Sequence, residues 1–522
     1  MVTKTNTDRV EQWGMFELLL EGSSAGNPYI EVELTAQFSQ GDRLVNVFGF
    51  YDGAPDGRPV YRVRFMPDAL GEWHYETDCN SSAVERASGT FTCVAAGPGN
   101  HGPVRVANEV HFAYADGTRY IPVGTTCYVW NLQGDELEEQ TLKTLEQAPF
   151  NKLRMCVFPK RFPFNQNEPP SYPFPGKLKE WDFSHFNPEY FQHLEKRILD
   201  LRKRGIEADL ILFHPYDWGA WGFDRMPTEV NDRFLRYLVA RLAALRNVWW
   251  SFANEYDGFF DRSTEEWEHY MQLVQEIDPY HHLRSIHNMG RFYDHSKPWI
   301  THCSIQHAET SKTIKWLKKY NKPVVIDECG YEGDIGMTWG DLSAEEMVIR
   351  FWRGFAQGGY VGHGETYLNA EEVLWWSKGG QLHGESVPRI AFLREIMEAA
   401  PPLTPVEIGD AEREELDLRD PRVRAHMFGR LDEGEMDKVI MTAGWQIDAG
   451  GYNTAEGYYL FYYALHQPRS REFNLPTDSR YRIDLLDTWD MTVETVTENA
   501  CGKVRVEMPG RKQMAIRIRK RL

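Results

Sequence analysis

At 522 residues, 42% of them apolar and 13% aromatic, the chain has room for two or three domains and material for a large core. Its formal net charge of -19 argues against nucleic acid as a partner, because phosphate would be repelled and no basic run beyond the short alternating tail RIRKRL offsets the acid. Seven cysteines scattered without CxxC spacing leave no pattern for a disulfide framework or a structural zinc site.

The opening stretch MVTKTNTDRVEQWG has no apolar signal-peptide core, and no later run approaches membrane-spanning length. A cytoplasmic protein with no membrane partner is expected. Residues 1–100 hold short β-rich runs such as FELLLEG, YIEVELTAQF and VYRVRFMP, parted by Gly, Pro, Asp and Asn. They predict an N-terminal immunoglobulin-like β-sandwich. GPGNHGPV (97–104) is the hinge out of it.

From 101 to 400 strands alternate with amphipathic helical stretches. Eight apolar candidates stand in order: YIPVGTTCYVW, FNKLRMCVFP, IEADLILFHP, NVWWSFANE, LRSIHNM, ITHCSIQH, PVVIDECG and GYVGHGETY. Helical patterns such as EYFQHLEKRILDLRKRG and DRFLRYLVARLAALR separate many of them. Eight such units predict an α/β domain, a (β/α)8 TIM barrel with its site at the strand ends. The long aromatic and proline-rich segment PKRFPFNQNEPPSYPFPGKLKEWDF follows the second strand and is expected to wall a pocket. Past PPLTP (401–405) short strands return, and 401–522 is expected to form a C-terminal β-sandwich. It is expected either to pack on the barrel or to mediate a homo-oligomer, and the sequence leaves both open.

The chemistry concentrates at two strand ends. VWWSFANE closes on Asn254 and Glu255, and PVVIDE closes on Glu328. Cleaving a glycosidic bond needs a protonated carboxyl beside the leaving oxygen and an ionised one beneath the sugar. Glu255 is expected to be the acid/base and Glu328 the nucleophile, with Asp327 turned to the opposite side in a structural role. Burial and the charge of Glu328 would keep Glu255 protonated until Glu328 is esterified, which predicts a bell-shaped pH profile.

These motifs resemble clan A of the glycoside hydrolases, whose barrels carry an Asn-Glu acid/base after strand four and a Glu nucleophile after strand seven. The resemblance implies that Arg154 in FNKLRM orients the nucleophile, that His214 in DLILFHPY lines the sugar pocket, and that Asn254 holds the neighbouring hydroxyl. By the same resemblance His307 lies near the nucleophile. His363 and Glu365 in GHGETY are expected to meet sugar hydroxyls, and one of Trp375 and Trp376 to form the floor under the ring. More closely, the barrel resembles the apiosidase-like bacterial glycosidases. GNPYIEVELTAQF, FGFYDG and GEWHYET are similar to the β-sandwich that often precedes such barrels. GHGETY and LWWSKGGQLHGES open a last third similar to the matching C-terminal family.

The expectation is a retaining O-glycosidase acting on terminal glycosides or short oligosaccharides, without metal or organic cofactor. The alternative is a non-catalytic carbohydrate-binding protein on the same barrel. A metal-dependent barrel hydrolase would use strand-end histidines such as His214, His287, His302 and His307, but the first strand offers TTCYVW where an HxH is usual. No GxSxG supports a serine hydrolase.

Overall fold

A computed structural model describes residues 4–5, 7–406, 439–440 and 447–521. Residues 407–438 and 441–446, which fall in the C-terminal domain expected from 401, lie outside the described residues.

The centre is a parallel eight-stranded barrel: β1 (Gly124–Thr126), β2 (Lys152–Cys156), β3 (Glu207–Phe213), β4 (Val248–Ala253), β5 (Arg284–Ser285), β6 (Cys303–Gln306), β7 (Val324–Glu328) and β8 (Tyr360–His363). Pairing runs β5-β4-β3-β2-β1-β8-β7-β6, and a single bridge between His287 and Ser304 closes the ring. All seven residues of β3 and all six of β4 are buried, as parallel strands covered on both faces require.

Helices α1 (Asp135–Gln147), α2 (Pro188–Lys203), α3 (Thr228–Leu242), α4 (Thr264–Ile277), α5 (Thr313–Tyr320), α6 (Ala344–Ala356) and α7 (Ser386–Glu398) form the outer layer. Their starts are written in the sequence. Asn187, Ser263 and Ser343 accept first-turn amides of α2, α4 and α6, and Pro188 takes the first position of α2. One unit departs from the eightfold expectation. The β5–β6 connection, residues 286–302, is turns and irregular chain with no helix. Pro298 and the turn formers Asn288, Gly290, Asp294 and Ser296 interrupt any helical period there.

The interior of the barrel is charged where branched apolar side chains are usual. Lys152 Nζ bonds Asp209 (2.6 Å) and Asp327 (2.7 Å), and all three are buried. Asp327 also accepts from Ser304 Oγ (2.5 Å), so it points into the barrel and not to the opposite side as strand alternation predicts. The reason is a one-residue bulge. Ser304 pairs with Val325 but Gln306 with Glu328, so β7 carries one extra residue against β6. Two consecutive carboxylates then face inward: Asp327 into the network, and Glu328 into the space above it.

The three-stranded antiparallel sheet Val104–Ala107, His111–Tyr114 and Arg119–Tyr120 stops the barrel's other end, with Phe112 against Trp249 (5.3 Å), Tyr360 (5.5 Å) and His302 (5.6 Å). Before it, a four-stranded and a five-stranded sheet enclose one apolar core, in which Phe38 stacks on Phe65 (4.0 Å) and Phe16 on Phe91 (4.2 Å). This N-terminal body rests on α2 and α3. Arg64 bonds Glu195 (2.8 Å) and the Arg241 carbonyl (2.7 Å), while Arg241 pairs with Asp52 and Glu195 across the face of Phe50.

After the barrel, among the described residues, a six-stranded sheet and a two-stranded one share a second small core through Phe461 and Phe473. Strand Tyr458–Tyr462 divides its side chains by parity. Tyr459 and Phe461 enter the C-terminal core, while Leu460 and Tyr462 join the barrel's core, Tyr462 stacking on Trp352 of α6 (5.5 Å). Arg353 and Asp448 add a bidentate ion pair (2.6 and 2.9 Å). The C-terminal sheet therefore packs on the barrel. Among the described residues no helix is long and apolar enough to cross a membrane.

Candidate active site

The loops at the strand ends converge on a cavity of about 90 Å3 lined by Tyr128, Lys160, Phe162, Tyr216, Glu255, Gln306, Glu328, Gly330, Tyr331, Trp339 and Trp376. Glu255 sits one residue beyond Asn254 at the end of β4, in a left-handed conformation (φ 52°, ψ 57°). A non-glycine residue adopts that region only where its surroundings hold it there. Burial first, then the negative charge of Glu328, pushes its carboxyl up to about 8. Gln306, its amide nitrogen turned to Glu255, donates to Oε1 (2.9 Å) and to the Asn288 carbonyl (3.0 Å). Glu255 Oε2 is buried and has no hydrogen-bond partner.

Across the cavity Glu328 Oε1 accepts a hydrogen bond from Tyr128 Oη, and His287 Nε2 stands 4.0 Å from the same oxygen. Burial holds the His287 imidazole well below its ordinary range, so it faces Glu328 neutral. Tyr331 Oη lies 3.5 Å from Tyr128 Oη, and its ring fills the space where Gly364 has no side chain. A Cβ there would come within 2.0 Å of it.

Lys160 is the unexpected member. Only 4% exposed, it points its ammonium at a cage of rings: Tyr128 at 3.4 Å, Tyr216 at 4.4 Å, Trp376 at 4.9 Å and Phe162 at 5.5 Å. Burial lowers it to about 8, against the pull of nearby Cys156, Glu328 and Glu255.

The residues singled out in the sequence separate into three groups. Glu255, Glu328 and Trp376 line the cavity. Asn254 and Arg154 lie beneath it: Arg154 Nη2 donates to Asn254 Oδ1 (2.9 Å) and Nη1 to Ser251 Oγ (3.0 Å). The hydroxyl on Glu328 is that of Tyr128, so Arg154 orients Asn254 and not the carboxylate it was expected to hold.

His214, expected in the pocket wall, has both ring nitrogens committed to backbone, Nε2 to the Phe158 carbonyl (3.3 Å) and Nδ1 to the Tyr216 amide (3.2 Å). It fastens the loop after β2 to the loop after β3. His307 turns away onto Trp316 of α5 (5.3 Å) and accepts from the Glu309 amide (2.9 Å). His363 stacks on Phe150 (4.8 Å) and bonds Thr125 Oγ1 (3.0 Å), which also takes the Trp375 indole proton (2.8 Å). Glu365 accepts the His383 (2.5 Å) and Gly384 (2.8 Å) amides before α7. None of these five, His214, His307, His363, Glu365 and Trp375, lines the cavity.

Among the described residues two trios of side chains have ligand atoms within 4.8 Å of one another, Glu332/His363/Glu365 and Asp135/Glu138/His193. The Glu332 and Glu365 carboxylates are bonded by the amides of 383–386, and Arg197 bonds Asp135 and Glu138.

Sequence reasoning missed Tyr128, Lys160, His287 as a neighbour of Glu328, and Gln306. The first strand was expected to run through Trp130, whereas β1 ends at Thr126 and leaves Tyr128 on the loop.

Comparison with known proteins places these features. The profile of the apiosidase-like catalytic domain matches residues 106–402. Two domains of unknown function, DUF5060 and DUF5605, match residues 9–80 and 445–519. A crystal structure from Bacteroides vulgatus described as a glycoside hydrolase is 39% identical, covers 99% of this chain and 100% of its own, and superposes with a TM-score of 0.85. A glycoside hydrolase family 5 protein from the same organism, 15% identical over 81% of this chain and 93% of its own, shares the fold with a TM-score of 0.58. No curated protein matches.

Proposed function

The chain belongs to the apiosidase-like glycoside hydrolases, and on that premise we propose that it cleaves terminal O-glycosides with retention of configuration, using Glu255 as acid/base and Glu328 as nucleophile. One observation carries the reading. A carboxyl held protonated to about pH 8 and a second carboxylate steadied by a tyrosine hydroxyl face one small aromatic-walled cavity at the ends of β4 and β7.

The sequence of events follows from these contacts. Glu255, its Oε2 unpartnered, gives its proton to the leaving oxygen as Glu328 attacks the anomeric carbon from the opposite face. Forming the ester removes the charge that kept Glu255 protonated. Its acidity rises, and it takes a proton from the incoming water, whose oxygen displaces Glu328. Asn254, its amide oxygen anchored by Arg154, keeps its amide nitrogen for a substrate hydroxyl. The Lys160 ammonium supplies further donors, and Trp376 presents a flat ring to the C–H face of the sugar. A cavity of about 90 Å3 favours one terminal ring, hence exo action on a short or terminal glycoside.

A panel of aryl pyranosides and furanosides, followed by proton NMR of the first-formed sugar, tests the reading. Release of the retained anomer by wild type, lost in Glu328→Ala, is the expected result. First release of the inverted anomer would defeat the double-displacement mechanism. Binding of the panel sugars without turnover would favour a carbohydrate-binding protein.

A further inference from the structure

A second, larger cavity of about 610 Å3 opens beside the carboxylates, between the loops that follow β3 and β4. Tyr216 lines both spaces. The far wall begins three residues after Glu255, at Gly258, and continues through Arg262. Three apolar side chains at its rim are exposed in a manner folding does not explain: Phe260 at 93%, Trp218 at 61% and Met289 at 44%.

This rim is built and held. Trp218 keeps a left-handed backbone (φ 50°), which a bulky residue adopts only under constraint. Asp257 accepts the amides of Met289 (2.6 Å), Gly290 (2.9 Å) and Arg291 (2.6 Å), fixing the loop after β5 against the loop after β4. Inside, the charged residues Asp224 and Arg262 stand in the wall. Flat apolar rings beside charged hydrogen-bonding residues suit a sugar, which shows C–H faces and hydroxyls.

We infer that this cavity is the leaving-group subsite, taking the next one or two neutral sugar units of an oligosaccharide substrate. Its side is set by chemistry, and here the inference rests on Glu255 being the acid. The proton donor faces the glycosidic oxygen, so whatever that oxygen carries lies past Glu255, over the segment that follows it. The reacting sugar occupies the small cavity, while Tyr216, Trp218 and Phe260 present faces to the units beyond.

Phe260→Ala and Trp218→Ala alter exposed rings and leave the core intact. Each is compared with wild type on a trisaccharide and on the glycosyl fluoride of the same terminal sugar, whose leaving group needs neither acid nor subsite. The expected result is a fall of about tenfold or more in kcat/KM on the trisaccharide with the fluoride changed less than about twofold. Unchanged kinetics on the trisaccharide overturn the inference and leave the rings to a protein contact. An equal loss on both substrates also overturns it.

A binding readout needs no turnover. Titration of Glu328→Ala with tetrasaccharides of β-glucan, mannan, xylan and arabinan is expected to show one ligand whose binding the added Phe260→Ala removes. Binding of none overturns the subsite. Wild-type hydrolysis of the fluoride by Glu328→Ala is a different failure, that of the nucleophile, and the Phe260 comparison then still reads the subsite.

Discussion

Tyr128 spends its hydroxyl on Glu328, and its loss is expected to show in rate more than in fold. Tyr128→Phe keeps the ring under Lys160 and removes one donor. We expect kcat to fall about tenfold to hundredfold with little change in thermal midpoint, read by steady-state kinetics beside a melting curve. Lys160 acts on the other carboxyl. Its positive charge lowers the pKa of Glu255, so Lys160→Met leaves that pKa higher. The alkaline limb of kcat/KM, which reports deprotonation of the acid, should move to higher pH; a limb that stays in place or moves down would contradict the coupling. Glu255 itself carries a stability cost. Its folded pKa, about 8, lies above its ordinary value, so the stability it contributes is complete below that ordinary value and is lost as pH rises through 8. Glu255→Gln should therefore melt above wild type at pH 8, and the gap should close toward pH 4.

Inside the barrel, the strands depend on their charges being complete. Lys152→Met leaves buried Asp209 and Asp327 without the nearer of the two cations they share, Arg154 standing farther off at 3.4 and 3.9 Å, and we expect a loss of about 3–5 kcal/mol in denaturant unfolding. A triple variant that also replaces Asp209 and Asp327 with their amides should recover part of it. The barrel was legible because most of its strands are apolar runs set between helices with marked starts, and the Asn254–Glu255 and Glu328 ends followed from counting them. What escaped the sequence escaped for physical reasons. Strand alternation places Asp327 outward, and a bulge carries no residue signature of its own. GHGET reads as a polar sugar-facing patch, yet His363 and Glu365 answer to Thr125 and the amides before α7. Tyr128 and Lys160 become site residues only through contacts about 200 positions away along the chain or between separate loops, which no local pattern announces.

At the scale of the whole chain, two β-rich bodies grip one barrel by different means. The N-terminal body is held through a charged joint, Asp52 and Glu195 around Arg241 and Arg64, laid over Phe50. Asp52→Ala is expected to lower the first thermal transition and to raise proteolysis at the 97–104 hinge, while activity at 25 °C stays near wild type. The C-terminal body is held through a sheet with no free side, since Leu460 and Tyr462 belong to the barrel's core and Tyr459 and Phe461 to its own. Ending the chain after residue 402 should give aggregated protein, detectable by light scattering, because α6 would show Trp352 and its neighbours to water. Alternation of two kinds of debt along one strand has an evolutionary reading. A recombination that brought a different tail would have to match the barrel and its own second sheet in a single stroke, one residue out of phase with each other. Lineages carrying this barrel are thus expected to have inherited its tail as a companion, accumulating substitutions in concert, while the charged joint at the other end leaves the N-terminal body freer to be exchanged.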